Sequence, residues 1–193
     1  SASGRWERIT GHEIHGKTMD IVGFGRIGKE VAKRASAFGL RLVGYGNYWD
    51  EAFAEEYQIT RVTNFDNILR KADIISLHTK LTPETKHLIN SRNITRLKKG
   101  SIIVNTSRGD LIELEALVKA IKSERILAYA ADVLDQEPPS ADHPLLGLPG
   151  VTLTPHIGSR THESVQRQAS CAVENLTLFL SGQEPIARAN PGF

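Results

Sequence analysis

The stretch Ile21-Val22-Gly23-Phe24-Gly25-Arg26-Ile27-Gly28 decides the fold. It sets G-x-G-x-x-G between a short apolar run, Thr18–Val22, and a helical pattern with Ile27, Val31, Ala35 and Phe38 on one face. The first glycine permits a tight turn and the second lets the backbone approach a pyrophosphate. The third lets helix and strand pack closely. Free N–H groups at the start of the helix then face the phosphates. A bare G-x-G-x-x-G is weak evidence, but a strand before it and a helix after it make it a dinucleotide-binding signature. A merely structural turn does not explain three glycines at this spacing.

Working outward, short apolar runs alternate with helical patterns. Arg41–Tyr45, Ile74–Leu77, Ser101–Asn105, Leu127–Asp132 and Val151–Leu153 are rich in Ile, Val and Leu, and Ile59–Val62 is a weaker candidate. Continuous runs of this kind suit strands covered on both faces. Gly39 is placed to end the first helix. Leu114, Leu117, Val118 and Ile121 repeat the helical spacing. Val165, Ala169, Ala172, Val173, Leu176, Phe179 and Leu180 form a long stripe that Ser159 or Thr161 caps. The alternation predicts an α/β fold, a Rossmann-type doubly wound parallel sheet of about seven strands with helices on both faces. The segment 136–150, QEPPSADHPLLGLPG, has four prolines and two glycines and reads as a fixed-shape excursion before the last strand. Residues 1–193 are expected to form a single dinucleotide-binding domain.

Bulk properties narrow the class. A net charge of +2 leaves no electrostatic footprint for nucleic acid or a membrane surface. The single cysteine, Cys171, excludes an internal disulfide and fits a reducing cytoplasm; it reads as a small buried apolar residue. No apolar run approaches the roughly 18 residues of a membrane span, and Ser1 onward shows no signal peptide. The expectation is a cytoplasmic globular domain.

Three polar residues each follow a predicted strand: Arg108, Glu137 and His156. In an open parallel sheet, ligands bind outside the carboxyl ends of the strands, so all three should face one crevice. The chemistry of a 2-oxo acid wants this trio. A histidine supplies a proton to the carbonyl oxygen, and a carboxylate beside it favours the imidazolium. An arginine polarises the carbonyl and pairs with the substrate carboxylate. Taken singly, His156 is also readable as a strand-end histidine, Arg108 as a turn cap and Glu137 as a loop charge.

At these residues the sequence resembles the D-isomer specific 2-hydroxyacid dehydrogenases. The resemblance is carried by GRW at 4–6, HGKTMDIVGFGRIG, ADIISLHTKLTPETKHLIN, LKKGSIIVNTSRGDLIE, ADVLDQEPP and LTPHIGS. It implies a catalytic set of Arg108 in N-x-x-R-G, Glu137 before proline and His156 in T-P-H-x-G. The related formate dehydrogenases carry glutamine where Glu137 stands. Beyond the three glycines, it implies dinucleotide contacts from Arg26 and Ile27 and, after the second strand, from Gly46, Asn47 and Tyr48. Further contacts would come from His78, Thr79, Lys80 and Thr85, from Thr106, Ser107 and Arg108, and from Asp132. The last group is His156, Gly158 and Ser159. It also implies that a second, substrate-selecting domain is absent, so that the chain alone turns over poorly. Dimerisation through this domain is expected, with Leu145, Leu146, Leu148 and Leu178 as apolar surface. A dinucleotide-sensing corepressor-like scaffold on the same architecture is the competing reading.

The remaining signals are bland. His12, Glu13 and His15 lack a third metal ligand and read as a solvated turn; no metal is expected. His78 ends a strand, where a structural role is the alternative to cofactor contact. His87, His143 and His162 read as surface polarity.

Cofactor choice turns on RLVGYGNYWD at 41–50. An acid about 20 residues beyond the glycines normally holds the ribose hydroxyls and repels a 2′-phosphate. Here Gly46 and Asn47 occupy that place, and Asp50 lies further along. Lys80 and Arg26 are candidate approaches to a phosphate. The expectation is NAD or NADP as cofactor, with relaxed or NADP-leaning choice, and a small 2-oxo or 2-hydroxy acid as the other partner.

Overall fold

The computed structural model describes residue 8 and residues 10–187. The GRW motif at 4–6 lies outside the described residues. Seven strands, β1 (Thr18–Val22), β2 (Arg41–Tyr45), β3 (Thr60–Arg61), β4 (Ile74–Leu77), β5 (Ser101–Asn105), β6 (Ile126–Ala131) and β7 (Val151–Leu153), form one sheet in the order β3-β2-β1-β4-β5-β6-β7. Every pairing is parallel. The helices are α1 (Arg26–Ala37), α2 (Glu51–Glu56), α3 (Phe65–Leu69), α4 (Leu114–Lys122) and α5 (His162–Leu180). The chain divides into two compact units, one ending at Leu153 and one beginning at Thr154.

In the first unit the side-chain alternation of β1 sorts residues to the two faces of the sheet. Met19 and Ile21 join Ala32 and Ala35 of α1, with Phe24, Leu42, Ala54 and Ile59. Val22 joins the larger cluster with Ile75, Leu77, Ile103, Leu117 and Tyr129. Each such aliphatic side chain contributes about 1.5–3 kcal/mol on leaving water. Gly39, at a φ of 73°, ends α1 and turns the chain into β2.

Several expectations change. The weak strand over 59–62 shrinks to Thr60–Arg61, and the sixth begins and ends one residue earlier than its apolar run. Helices α2 and α3, six and five residues long, were not anticipated; Asp50 caps the first by accepting Phe53 N–H, and Asn64 caps the second by accepting Asp66 N–H. In the proline-rich excursion Leu145 is 2 % exposed and belongs to the core, and Leu148 is half-buried, so only Leu146 offers apolar surface there.

In the second unit, Thr161 caps α5 by accepting Ser164 N–H at 3.1 Å, which settles the choice against Ser159. Cys171 is half-buried, not buried, and Asn175 approaches its sulfur at 3.6 Å. The apolar stripe stays exposed at Val173, Leu176, Phe179 and Leu180. Among the described residues no helix is long and apolar enough to cross a membrane.

One residue of β1 breaks the apolar pattern. Asp20 is 1 % exposed, and neither of its carboxylate oxygens has a hydrogen-bond partner. Burial first, and Asp73 second, push its pKa up to about 7. The folded state therefore holds a proton that the unfolded chain releases near the ordinary aspartate value of about 4. Stability from this group is full below that value and is lost as pH rises through about 7. Thermal melts should show the wild-type chain losing on the order of 3 kcal/mol between pH 4 and 8 through this one residue. Asp20→Asn should flatten that slope, and an unchanged slope would refute the assignment.

Candidate active site

The glycine turn leaves β1 at the point where the strand order reverses between β1 and β4. Gly23 has a φ of 101°, and a Cβ there would stand 2.5 Å from the His78 carbonyl carbon and 2.6 Å from Thr79 N. Only glycine lets the two strand ends meet this closely. A Cβ on Gly28 would stand 2.1 Å from the Gly23 carbonyl oxygen, so the first turn of α1 lies directly on the loop. Gly25 differs: a Cβ there meets nothing within 4 Å. It is the N-cap of α1 and makes no side-chain cap, leaving the helix N–H groups to whatever lies beyond. Two glycines serve packing and the middle one opens on space, as a pyrophosphate cradle requires. Arg26, exposed, and Ile27, 67 % exposed, flank the opening.

The β4 end supplies the facing wall. His78 N–H donates to the Val22 carbonyl at 2.6 Å, and the His78 ring meets Ser76 Oγ at 2.8 Å. Burial lowers its pKa to about 4, so the ring is neutral. Its Nδ1 is buried without a partner, an unmet polar atom beside the glycine turn. Thr79 and the exposed Lys80 lead into a loop that Thr85 ties: its hydroxyl donates to the Lys80 carbonyl at 2.6 Å and accepts Thr82 N–H at 2.8 Å. Thr85 thus shapes the loop, with its hydroxyl spent internally.

At the β2 end, Gly46 sits against the glycine turn. A Cβ there would stand 3.0 Å from Phe24 N, and Phe24 itself is buried, stacked on Trp49 at 4.3 Å. Asn47 and Tyr48 are exposed. Asp50 is engaged elsewhere. It caps α2 and accepts Lys29 Nζ at 2.7 Å, and that hydrogen bond lowers its pKa.

The β5 end is organised by a residue whose role the sequence left unassigned. Asn105 is fully buried; its amide donates to the Arg108 carbonyl at 2.9 Å and to the Tyr129 hydroxyl at 3.4 Å, while its Oδ1 accepts Ser107 N–H at 3.1 Å. Ser107 Oγ reaches across to the Leu77 carbonyl at 2.9 Å. Thr106 and Arg108 are exposed on the turn so formed, and Arg108 Nη1 donates to the Ser107 carbonyl at 2.6 Å. The signal was legible: a strand-final asparagine, three residues before the arginine, is the residue type that satisfies turn backbone.

The segment leaving β6 packs on that turn. A Cβ on Gly109 would stand 2.1 Å from the Leu134 carbonyl carbon, so Arg108 and the β6 exit are held backbone to backbone. Glu137 Oε1 accepts Leu134 N–H at 2.8 Å, and the Glu137–Pro138 bond is cis. Asp132 is buried at the strand end. His143, read as surface polarity, is 5 % exposed: it meets Asp135 at 3.0 Å and its Nδ1 accepts Leu145 N–H at 3.3 Å. A ring wedged between a carboxylate eight residues back and a backbone amide two residues on pins the excursion that carries Glu137.

Arg108 and Glu137 therefore leave the sheet at the same, carboxyl edge. His156 follows the end of β7 in the second unit, where its φ of 52° holds an uncommon left-handed conformation and its N–H donates to the Thr154 carbonyl at 3.0 Å. Gly158 and Ser159 follow, and the Ser159 carbonyl accepts the Gln168 amide at 3.4 Å. Among the described residues no group of three or more His, Cys, Asp or Glu is disposed to hold a metal.

Comparison with known proteins agrees with this geometry. Residues 1–158 match the model for the D-isomer specific 2-hydroxyacid dehydrogenase NAD binding domain. The chain is 41 % identical to the glyoxylate reductase of Thermofilum pendens over 97 % of this chain and 57 % of that protein. It superposes on the crystal structure of the TT0316 protein of Thermus thermophilus with a TM-score of 0.89, at 39 % identity, over 98 % of this chain and 60 % of that one. For the D-lactate dehydrogenase of Lactobacillus jensenii with NAD+ the TM-score is 0.87 at 28 % identity, over 98 % of this chain and 61 % of that one. The chain spans about six-tenths of the length of these relatives.

The two kinds of glycine separate experimentally. Gly25→Val, entering open space, should leave the melting temperature within a degree or two yet weaken NADH binding at least about tenfold, the loss of close phosphate approach. Gly28→Ala should cost several kcal/mol of stability through its clash with the Gly23 carbonyl. Calorimetric titration and melts of both variants check this; equal NADH affinity in Gly25→Val would contradict it.

Proposed function

We infer the function from one premise: the chain belongs to the D-isomer specific 2-hydroxyacid dehydrogenase family, through its NAD-binding domain. We propose that it binds a nicotinamide dinucleotide and serves hydride transfer between that cofactor and a 2-oxo acid or D-2-hydroxy acid. The observation that carries the reading is the open backbone at Gly25, set between Gly28, packed on the loop, and Gly23, packed on the His78–Thr79 backbone. The chemistry supplied by the nicotinamide when bound is hydride transfer at the carbon that bears the oxygen. Helix α1 N–H groups and the loop from Thr79 to Thr85 hold and orient the dinucleotide. Arg108 pairs with the substrate carboxylate and polarises the carbonyl. His156 gives a proton to the carbonyl oxygen in reduction and takes it back in oxidation. To Glu137 we assign the role of favouring the protonated imidazole, the form that a carboxylate stabilises.

Residues 1–193 then make up one dinucleotide-binding domain, and the side chain of the substrate is selected elsewhere in the polypeptide. We further propose a cytoplasmic homodimer, supported by the single cysteine and the exposed apolar residues Leu146, Leu176 and Phe179. The scaffold reading has less behind it: the relatives include a glyoxylate reductase and a D-lactate dehydrogenase, and Arg108, Glu137 and His156 are all present.

In the full-length polypeptide, Arg108→Ala and His156→Ala should each lower turnover of glyoxylate or hydroxypyruvate by about 10²–10⁴-fold. NADH affinity should stay within about twofold in both. Loss of NADH binding in step with turnover would argue for structural roles instead.

Cofactor choice follows from the β2 end. Gly46 has no side chain to repel a 2′-phosphate, and Asp50 is committed to Lys29 and its helix cap. Asn47 hydrogen-bonds a hydroxyl or a phosphate oxygen without penalising charge. We expect NADPH and NADH to bind the chain within about tenfold of each other. Asn47→Asp is the cleaner way to install an acid than Gly46→Asp, whose Cβ stands 3.0 Å from Phe24 N. It should weaken NADPH far more than NADH. An unmodified preference for NADH beyond about 100-fold, or roughly 2.7 kcal/mol, would show that another residue supplies the filter.

A further inference from the structure

We propose that the trough between β2, β3 and α3, floored by Asp20 of β1, is a binding site for a small multivalent oxyanion. It is separate from the dinucleotide crevice. Its volume is about 990 Å³, and its lining runs from Thr18 and Arg41, at the amino ends of β1 and β2, to Asn67, Arg70 and Lys71 beside α3. The glycine turn stands at the opposite, carboxyl end of the same strands.

Two observations point to a ligand. The first is the floor. Asp20 lines the trough, is 99 % buried by its 1 % exposure, and has both carboxyl oxygens unpartnered. Its neighbour Asp73 is by contrast satisfied, accepting Thr18 N–H at 2.9 Å and Lys98 Nζ at 2.5 Å. Buried polar groups left without a partner are uncommon and costly. The second is the rim. Arg41, Arg70 and Lys71 are exposed, and none joins an ion pair among the described residues. Arg61, also on the lining, is committed elsewhere, 3.6 Å from Glu51 and 5.2 Å over the Trp49 ring.

The chemistry selects the ligand class. Three cations without carboxylate partners favour a species with more than one negative charge, and guanidinium groups match the paired oxygens of carboxylate or phosphate. The Asn67 amide and the Thr18 and Thr60 hydroxyls add neutral donors. Protonated, Asp20 puts no charge beneath the trough, its own oxygens being closed off from solvent. Ionised, it repels the same ligand. Anion binding is therefore coupled to holding one proton, and the pKa of about 7 puts the change in the neutral range. The other charged or titratable groups around the trough include Asp73 with Lys98 and Lys17, Tyr57, and His15, whose ring lies against Gly39.

The test is calorimetric titration of the 193-residue chain with citrate and with pyrophosphate, between pH 6 and pH 9, with and without saturating NADH. Affinity for at least one anion should fall by up to about tenfold per pH unit above 7, the signature of one coupled proton. Saturating NADH should leave it unchanged. Tighter citrate marks a polycarboxylate ligand and tighter pyrophosphate a phosphorylated one; either supports the site. Asp20→Asn should bind with no pH slope of this kind, and His15→Gln should keep the slope. Arg41→Ala with Lys71→Ala, both at exposed positions, should weaken binding at least about tenfold; this pair carries the test should Asp20→Asn fail to fold. Absence of binding at millimolar anion, displacement by NADH, or a slope retained in Asp20→Asn would each overturn the proposal.

Discussion

Gly23 cannot carry a side chain. A Cβ at that position would stand 2.5 Å from the carbonyl of His78, and the end of β1 would be forced away from the end of β4. The close approach of these two backbones is what the rest of the first unit depends on. It lets His78 N–H reach the Val22 carbonyl and sets β4 in register with β1. It also fixes the place where the strand order reverses, so that a crevice opens between the loops on either side. Gly28 then seats α1 on the loop, and Gly25 is left facing open space. One constraint of size at one residue thus produces both the sheet and the site.

A second device of the same kind organises the other side of the crevice. Gly109 lets the Arg108 turn lie on the backbone of Leu134 and Asp135, and buried Asn105 ties that turn to β5 and to Tyr129. Glu137 and His143 fix the segment leaving β6, the first through Leu134 N–H and the second through Asp135 and Leu145. Arg108 and Glu137 stay exposed, while Asn105, Tyr129 and His143, which hold the backbone beneath them, are buried. Such a division suits a site that works on a ligand from outside the strands.

Much of this was legible in the sequence because the parallel sheet writes itself as continuous apolar runs. Thr18–Val22, Arg41–Tyr45, Ile74–Leu77, Ser101–Asn105 and Val151–Leu153 are strands over the residues their hydrophobicity marks. Helices α2 and α3 were missed because five or six residues are too few to show a period, although Asp50 and Asn64 stood in place as caps. His143 was misread because a proline-rich stretch gives no pattern of burial, and its partner Asp135 is distant in any helical or strand sense. Asp50 carries the right chemistry for a ribose, but its carboxylate is spent on Lys29 of α1 and on the cap of α2, which only geometry shows. Asp20 sits in an apolar strand as its single charged residue; its burial followed from the pattern, its lack of a partner did not.

The central claim is that the backbone at the β1–β4 crossing holds a dinucleotide. The most direct measurement is an amide NMR titration of the chain with NAD, following each backbone N–H by residue. The account predicts that the largest shifts fall on Gly25, Arg26, Ile27 and Gly28 and on the facing pair His78 and Thr79, with Arg41 and Lys71 unmoved. Shifts centred on β3 and α3, or none at saturating NAD, would contradict it.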